Sequence, residues 1–271
     1  MATIHANGVE LFYEVTGSGD PLVLVHGSWV DHSTWAAVVS GLAESFQVLT
    51  YDRRGHSNSE RPNSQGSVHE DADDLEALLE ALDLSEAHIV TNSYGGNIAM
   101  RLAVKRPELI RSLAMHEPPI FDLLADDPES APLLEQNQTS LESVGSLIAE
   151  GDHEGAARRF VDEVAFGPGT WESELPPELR SLFVRNAPTC LDELRDPDAL
   201  GSDLGGLSRF PKPVLLTDGT ESPPIFPKIV DILDRTFPNA RRDTYEGAAH
   251  VAHLTHPEAF TKTVGEFTAS A

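Results

Sequence analysis

Short apolar runs alternate with helical patterns through the first half of the chain. The runs that are typical of buried strands lie at 21–28, 46–54, 87–93 and 110–117. Leucines recur at helical spacing between positions 75 and 82 and predict an amphipathic helix over 70–83, and a second helix is predicted over 97–106. Strands that alternate with helices in this way form a mostly parallel sheet with helices on both faces.

The pattern changes after Pro118-Pro119. Residues 120–210 are acidic, helical in pattern and interrupted by glycine and proline, and no strand is predicted there. Strand patterns return at 213–219 and 240–247, before a last helix. With two short strands around the Asn7-Gly8 turn, the sequence predicts an eight-stranded α/β core from 1–119 and 211–271. A helical insertion, 120–210, follows the sixth strand.

Composition narrows the classes of partner and compartment. The chain has 271 residues and a formal net charge of −25, which disfavours binding to nucleic acid phosphates and to anionic membranes. Cys190 is the single cysteine, so no intrachain disulfide can form, and its charged helical surroundings predict a structural role. The sequence has neither a secretion signal pattern nor a spanning apolar stretch, and we expect a cytoplasmic protein.

Ser93 stands in Thr91-Asn92-Ser93-Tyr94-Gly95-Gly96, where a buried strand meets a helix. A nucleophile on such a sharp turn needs small residues two positions before and after it, because the backbone passes close to itself. Gly95 meets this need, whereas Thr91 is larger than the usual glycine. The turn aims the hydroxyl at a helix N-terminus, which favours developing negative charge. An ordinary helix N-cap is the alternative role for such a serine.

His250 is the predicted base for that serine. It lies in a loop after the last predicted strand, and the chain order of nucleophile, acid and histidine places the base last. Imidazole titrates in the range that proton transfer from a hydroxyl requires. His253 is the reserve candidate, about one helical turn further on.

The loop His26-Gly27-Ser28-Trp29 follows the buried strand and predicts one side of an oxyanion hole. Acyl transfer needs two N–H donors for the oxyanion, and the backbone amides of Ser28 and Tyr94 are the candidates. We expect His26 to hold the loop. Trp29 and Trp35 are candidates for the wall of a substrate pocket, although packing beneath the insertion accounts for them equally well.

The motifs HGSW, YDRRGHSNS and TNSYGG, the late HVAH loop and the helical insert together resemble the α/β-hydrolase superfamily over residues 10–268. The resemblance implies that the insertion 120–210 is a cap domain. Family members that are dehalogenases or epoxide hydrolases use an aspartate nucleophile, and Ser93 in that position argues against both activities. The fold also hosts esterases, perhydrolases and C–C hydrolases.

The acid of the triad departs from the usual pattern. Many family members place an aspartate after the strand that follows the cap, where this chain has Ser222. Three candidates remain: Glu117 at the end of the strand before the cap, Glu221, and Asp218. We favour Glu117, because a glutamate between apolar strand residues and two prolines is an unusual place for a solvated carboxylate.

The segment His116-Glu117-x-Pro, with the Ser-x-Gly turn and a late His-Pro stretch, is similar to zearalenone-type lactone hydrolases, whose acid is a glutamate after this same strand. The interpretation is a serine hydrolase that cleaves a small-molecule ester or lactone through an acyl-enzyme. No cofactor and no metal are implied. A ligand-binding protein with a vestigial triad and a cofactor-free perhydrolase are the alternatives. The oligomeric state stays open between a monomer and a homodimer.

Overall fold

Eight strands form one sheet in the computed structural model, which describes residues 2–84 and 86–271. Their order across the sheet is β1-β2-β4-β3-β5-β6-β7-β8, and all neighbours from β4 to β8 are parallel, whereas β2 is antiparallel to β1 and β4. The strands are β1 Ala2–Ala6, β2 Val9–Gly17, β3 Asp20–Val25, β4 Phe46–Tyr51, β5 Ala87–Asn92, β6 Ile110–His116, β7 Val214–Gly219 and β8 Ala240–Tyr245. The predicted mostly parallel eight-stranded sheet is confirmed.

Asn7 and Gly8 join β1 to β2 as predicted. Both adopt positive φ, 47° and 82°. A two-residue hairpin turn needs this conformation at both positions, and Asn-Gly adopts it at low cost. The antiparallel pair therefore follows from local chemistry.

Helices cover both faces of the sheet and fill the insertion between β6 and β7. They are α1 Ala36–Leu42, α2 Val68–Ala81, α3 Tyr94–Lys105, α4 Ala131–Glu150, α5 His153–Phe160, α6 Thr170–Ser173, α7 Pro177–Arg195, α8 Leu204–Leu207, α9 Ile225–Thr236, α10 Ala252–Thr255 and α11 Pro257–Thr268. α3 begins three residues before the predicted start at 97, because the turn at Ser93 leads straight into the helix. α5 continues as a π-helical turn, Val161–Ala165.

Side chains of the central strands alternate between two apolar layers, as the pleat of a strand requires. Val23 and Val25 face the layer under α2, α3 and α9, whereas Leu22 and Leu24 face the layer under α1 and α11. Trp35 is fully buried in the second layer, with its ring 4.4 Å from that of His253. Of the two alternatives for Trp35, the wall of a substrate pocket is therefore wrong. Trp35 directly precedes α1 and packs between this helix and the sheet.

Trp29 fixes the insertion to the sheet. Its ring stacks on Phe183 of α7, at 6.0 Å between centroids, and lies 5.1 Å from Phe160 of α5. Trp171 and Cys190 are buried in the same cluster, where burial raises the pKa of the Cys190 thiol well above its usual range. The structural role predicted for Cys190 agrees with this packing. Within the described residues, no helix has the length and apolar character to cross a membrane.

A buried charged cluster also joins the insertion to the core. The Arg53 guanidinium, which follows β4, is 1% exposed and pairs with Glu193 of α7 and with Asp71 of α2, whose Oδ2 lies 3.7 Å from Nη1. Burial, with a smaller contribution from the charge of Glu193, raises the pKa of Asp71 to about 7 against the opposing effect of Arg53. Two carboxylates therefore share one guanidinium.

The pKa of Asp71 predicts how stability changes with pH. A folded-state pKa of about 7 lies above the ordinary value of 3.8, so the protonated form stabilises the fold and this stability is lost as pH rises through 7. Asp71→Asn mimics the protonated form. We expect the difference in melting temperature, variant minus wild type, to increase by several degrees from pH 5 to pH 8.

Thermal unfolding of both proteins across this pH range measures the difference. Asp73→Asn, on the same helix but in a largely exposed pair with Lys105, is the matched control and should show a constant difference. A constant difference for Asp71→Asn as well would mean that Asp71 stays ionised throughout.

Candidate active site

Ser93 occupies a strained turn between β5 and α3. Its φ and ψ are 52° and −129°, an unusual conformation for a residue with a side chain. A Cβ on Gly95 would lie 2.4 Å from the Val25 carbonyl oxygen, which explains the glycine two positions after the serine. Ser93 makes no side-chain N-cap bond, so the simple capping role does not apply.

A buried threonine stands at position 91, where glycine is usual. Thr91 is fully buried, and its Oγ1 lies 3.4 Å from the point that a Cβ on Gly96 would occupy, an ordinary van der Waals distance. A Cβ there would lie 2.7 Å from Pro118. The close approach of Pro118 therefore explains the glycine at position 96.

The loop after β3 is held by a neutral histidine. His26 Nε2 accepts a hydrogen bond from the Arg53 backbone N–H at 3.0 Å, and its Nδ1 donates to the Gly27 carbonyl at 2.8 Å. Burial, and then the charge of Arg53, lower the pKa of His26 to about 4. The ring supports the loop that carries Ser28, as predicted from the sequence.

His250 lies between β8 and α10 and lines the same cavity as Ser93. Its Nδ1 is 2.8 Å from Glu117 Oε2, and its ring stacks on Phe226 of α9 with centroids 4.4 Å apart. With Nδ1 bonded to the carboxylate, Nε2 is the nitrogen left for another partner. The sequence analysis missed Phe226, whose place in an amphipathic helix carries no signal of the site.

Glu117 is fully buried directly after β6 and has a positive φ of 49°. Its Oε1 accepts the backbone N–H of Gly219 at 3.0 Å. Burial acts to raise the pKa of this carboxyl, but the hydrogen bond to His250 and weaker contributions from neighbouring groups together lower the pKa below its usual value. The carboxylate is thus held ionised beside the imidazole.

The other carboxylates proposed for this position lie elsewhere. Glu221 is exposed, and Asp218 pairs with Arg242 and accepts the Thr244 hydroxyl at 2.7 Å. His253, the reserve base, is buried and bonds to Thr34 Oγ1 at 3.0 Å. Among these candidates, the structure brings Glu117 and His250 together.

A cavity of about 870 Å³ opens over Ser93 and His250. Ser28, Trp29, Tyr94, Pro119 and Phe226 of the core line it, together with residues of the insertion. Of the aromatic residues available in the insertion, Phe121 and Phe160 line the cavity, and the ring of Phe166 meets His250 edge-on at 6.3 Å. Trp171 and Phe183 instead pack around Trp29 in the insertion's core.

Acidic residues dominate the charged part of the cavity wall. Asp122, Glu142, Glu193 and Asp196 line it, against one arginine, Arg195. Glu193 is neutralised by Arg53, and Asp196 accepts the backbone N–H groups of Val68 and Asp198. Asp122 and Glu142, both exposed, are therefore the carboxylates that face an incoming ligand.

Asp31, His32 and Asp52 form a group whose ligand atoms lie within 4.8 Å of one another, which the sequence spacing did not predict. Hydrogen bonds already engage these atoms. Asp52 Oδ1 accepts from the His32 ring at 2.5 Å, and Asp31 Oδ1 accepts from the Ser33 backbone and hydroxyl. The group therefore supports the loop after β3 without requiring a metal ion.

A family model described as the alpha/beta hydrolase fold matches residues 20–257. The chain belongs to the α/β-hydrolase family. It is 36% identical over 124 residues to the uncharacterized hydrolase YraK of Bacillus subtilis, a match that covers 45% of this chain and 46% of that protein. The first curated relatives are thus matched over less than half of their own length.

Two further known proteins match along nearly the whole chain. The 2-hydroxymuconate semialdehyde hydrolase of Pseudomonas sp. strain CF600 is 27% identical over 281 aligned residues, covering 99% of this chain and 93% of that protein. The enol-lactonase of Burkholderia xenovorans LB400 superposes with a TM-score of 0.83 at 21% identity, covering 99% of this chain and 100% of that one. The structural likeness concerns the fold.

Proposed function

We propose that this α/β-hydrolase is a serine hydrolase that cleaves a carboxylic ester or lactone. Ser93 is the nucleophile, His250 the base and Glu117 the acid of the triad. The observation that carries the proposal is the buried 2.8 Å bond between His250 and Glu117 beside the strained Ser93, on one cavity. Residues 120–210 act as a cap that selects the substrate, with the core formed by 1–119 and 211–271.

The geometry supports an acyl-enzyme mechanism. His250 Nε2 takes the proton from the Ser93 hydroxyl as Oγ attacks the carbonyl carbon, and the Ser28 and Tyr94 amides bind the resulting oxyanion. Glu117 stabilises the imidazolium, which protonates the leaving alcohol as the C–O bond breaks. His250 then takes a proton from water as the hydroxide attacks the acyl carbon. The bond from that carbon to Ser93 Oγ breaks, the imidazolium returns the proton to Oγ, and the carboxylic acid leaves.

Glu117 also supports this function over a binding protein with a vestigial triad. The serine at position 222, where many family members have an aspartate, motivates that alternative, and the buried ionised carboxylate of Glu117 beside His250 counts against it. The cofactor-free perhydrolase remains the second candidate, and bromination with peroxide and acetate separates it from an esterase. The enol-lactonase of B. xenovorans makes a lactone a reasonable first substrate class, and the zearalenone-type likeness stays a motif-level prediction.

The first prediction of the proposed function concerns the nucleophile. The panel of test substrates contains short nitrophenyl esters, small lactones and one large aromatic lactone. We expect the wild type to hydrolyse at least one of them and Ser93→Ala to hydrolyse none. Acid release measured by pH-stat reports turnover for every member. Turnover that survives Ser93→Ala, or no turnover by folded wild type on any member, would contradict the proposal.

The second prediction concerns the acid. Glu117→Gln keeps the side-chain shape but cannot stabilise the imidazolium, and we expect kcat to fall by about 10³–10⁴. Glu221→Gln, a matched change of an exposed carboxylate, should leave kcat within about twofold, as surface changes usually do. Steady-state kinetics of both variants decide the assignment. The reverse pattern would move the acid to the segment after β7.

The third prediction concerns substrate charge. Asp122 and Glu142 face the cavity of a chain whose net charge is −25, so the local field repels anionic substrates. The test uses three p-nitrophenyl esters: the hexanoate, and two analogues whose acyl chain ends in an ammonium or a carboxylate group. We expect the kcat/KM of the carboxylate-bearing ester to be roughly tenfold lower than that of the hexanoate ester. The ammonium ester should equal or exceed hexanoate, and salt should reduce both differences.

Variants show whether the cavity wall or the whole protein causes the effect. Glu142→Gln should reduce the discrimination, whereas Glu150→Gln removes one exposed charge from the same helix outside the cavity wall and should not. Equal discrimination in both variants would assign the effect to overall charge, and a preference for the carboxylate ester would point to Arg195 as an anion anchor.

A further inference from the structure

Two buried side chains outside the triad bond to the loop that carries His250. Asn92 Nδ2 donates to the His250 carbonyl oxygen at 2.8 Å, and His116 Nε2 lies 3.2 Å from the Ala249 carbonyl oxygen. Asn92 is 4% exposed and His116 is 1% exposed. Two successive carbonyl groups of the loop are thus held by side chains from β5 and β6.

The chemistry of the partners fixes the proton on His116. A carbonyl oxygen only accepts, so Nε2 carries the hydrogen. Burial lowers the pKa of His116, although the neighbouring Glu117 opposes this effect, and the ring is neutral. Nδ1 therefore accepts from the Thr217 hydroxyl of β7 at 3.0 Å, a shorter contact than the 3.4 Å from that hydroxyl to the Met115 carbonyl.

The position of these two residues along the chain links the loop to the triad. Asn92 directly precedes Ser93, and His116 directly precedes Glu117. The segment from Glu246 to Val251 has neither helix nor strand. Backbone N–H groups bond to the carbonyl groups of Ala248 and Val251, and the side chains of Asn92 and His116 bond to the two carbonyl groups between them. The strand ends that present the nucleophile and the acid therefore also position the backbone of the base.

We propose that Asn92 and His116 are positioning residues that set the place of His250 between Ser93 and Glu117. The inference rests on the proposed function. The Glu117 bond and the Phe226 ring orient the imidazole, but they do not fix the backbone from which it projects. A displacement of about 1 Å between reacting groups costs on the order of 10²-fold in rate, so these hydrogen bonds act on kcat.

The test compares variants that remove or retain each donor. His116→Met removes the donor to Ala249, and we expect kcat to fall about 10- to 100-fold while KM stays within about twofold. His116→Gln keeps an amide donor near the position of Nε2 and should recover most of the loss. Asn92→Asp is isosteric but places a carboxylate oxygen against the His250 carbonyl, and it should lower kcat at least as much as His116→Met.

Two readouts separate positioning from damage to the fold. Thermal unfolding checks each variant, and the rate of Ser93 labelling by a fluorophosphonate reports nucleophile activation independently of substrate binding. Slower labelling by folded His116→Met, recovered in His116→Gln, supports the inference. Wild-type labelling rates and kcat in folded His116→Met and Asn92→Asp would overturn it while leaving the proposed function intact. A wild-type protein that neither labels nor turns over would overturn both.

Discussion

Parallel strands end at a common edge, and the candidate site depends on this constraint. β5 and β6 are parallel neighbours, so the residues that follow them, Ser93 and Glu117, lie at the same edge of the sheet, where the strands have their carboxyl ends. Both adopt positive φ, at 52° and 49°. Such conformations cost free energy and persist where the surrounding structure enforces them. Here the enforcing contacts are the close approach of Gly95 to β3 and the hydrogen bond from Gly219 to the carboxylate.

The same edge explains how a triad can be complete without an aspartate after β7. β7 lies beside β6, so the histidine loop after β8 passes within reach of both strand ends. The Glu117 carboxylate lies between the end of β7 and the histidine loop. One of its oxygens bonds to the His250 ring, and the other accepts the backbone N–H of Gly219, the last residue of β7. In the proposed triad, position 222 therefore need not carry charge, since the acid lies one strand away from its usual position while the base keeps its place.

Charge has two different effects in this protein. Inside, Arg53 is paired with Asp71 and Glu193, and these contacts tie α2 and α7 to the segment that follows β4. Loss of Arg53 would leave two buried carboxylates without their shared cation, which is costly, so the cluster fixes how the insertion sits. At the cavity wall, Asp122 and Glu142 are exposed and form no ion pair among the described residues. The first effect is structural, and the second underlies the substrate preference that we propose.

The sequence by itself determined the elements that short-range chemistry specifies. Apolar runs predicted the strands, Asn7-Gly8 predicted its hairpin, and the glycine after Ser93 predicted the sharp turn, because each pattern acts within a few residues. The predicted order of strands made Glu117 a candidate for the acid of the triad. Glu221 and Asp218 stayed alternative candidates until the fold showed where each carboxylate lies. Trp35 could not be separated from Trp29 by sequence, since both are apolar and only packing decides which layer each enters. The contacts of Asn92 and His116 with residues 249 and 250 join distant parts of the chain, so only the tertiary structure could reveal them.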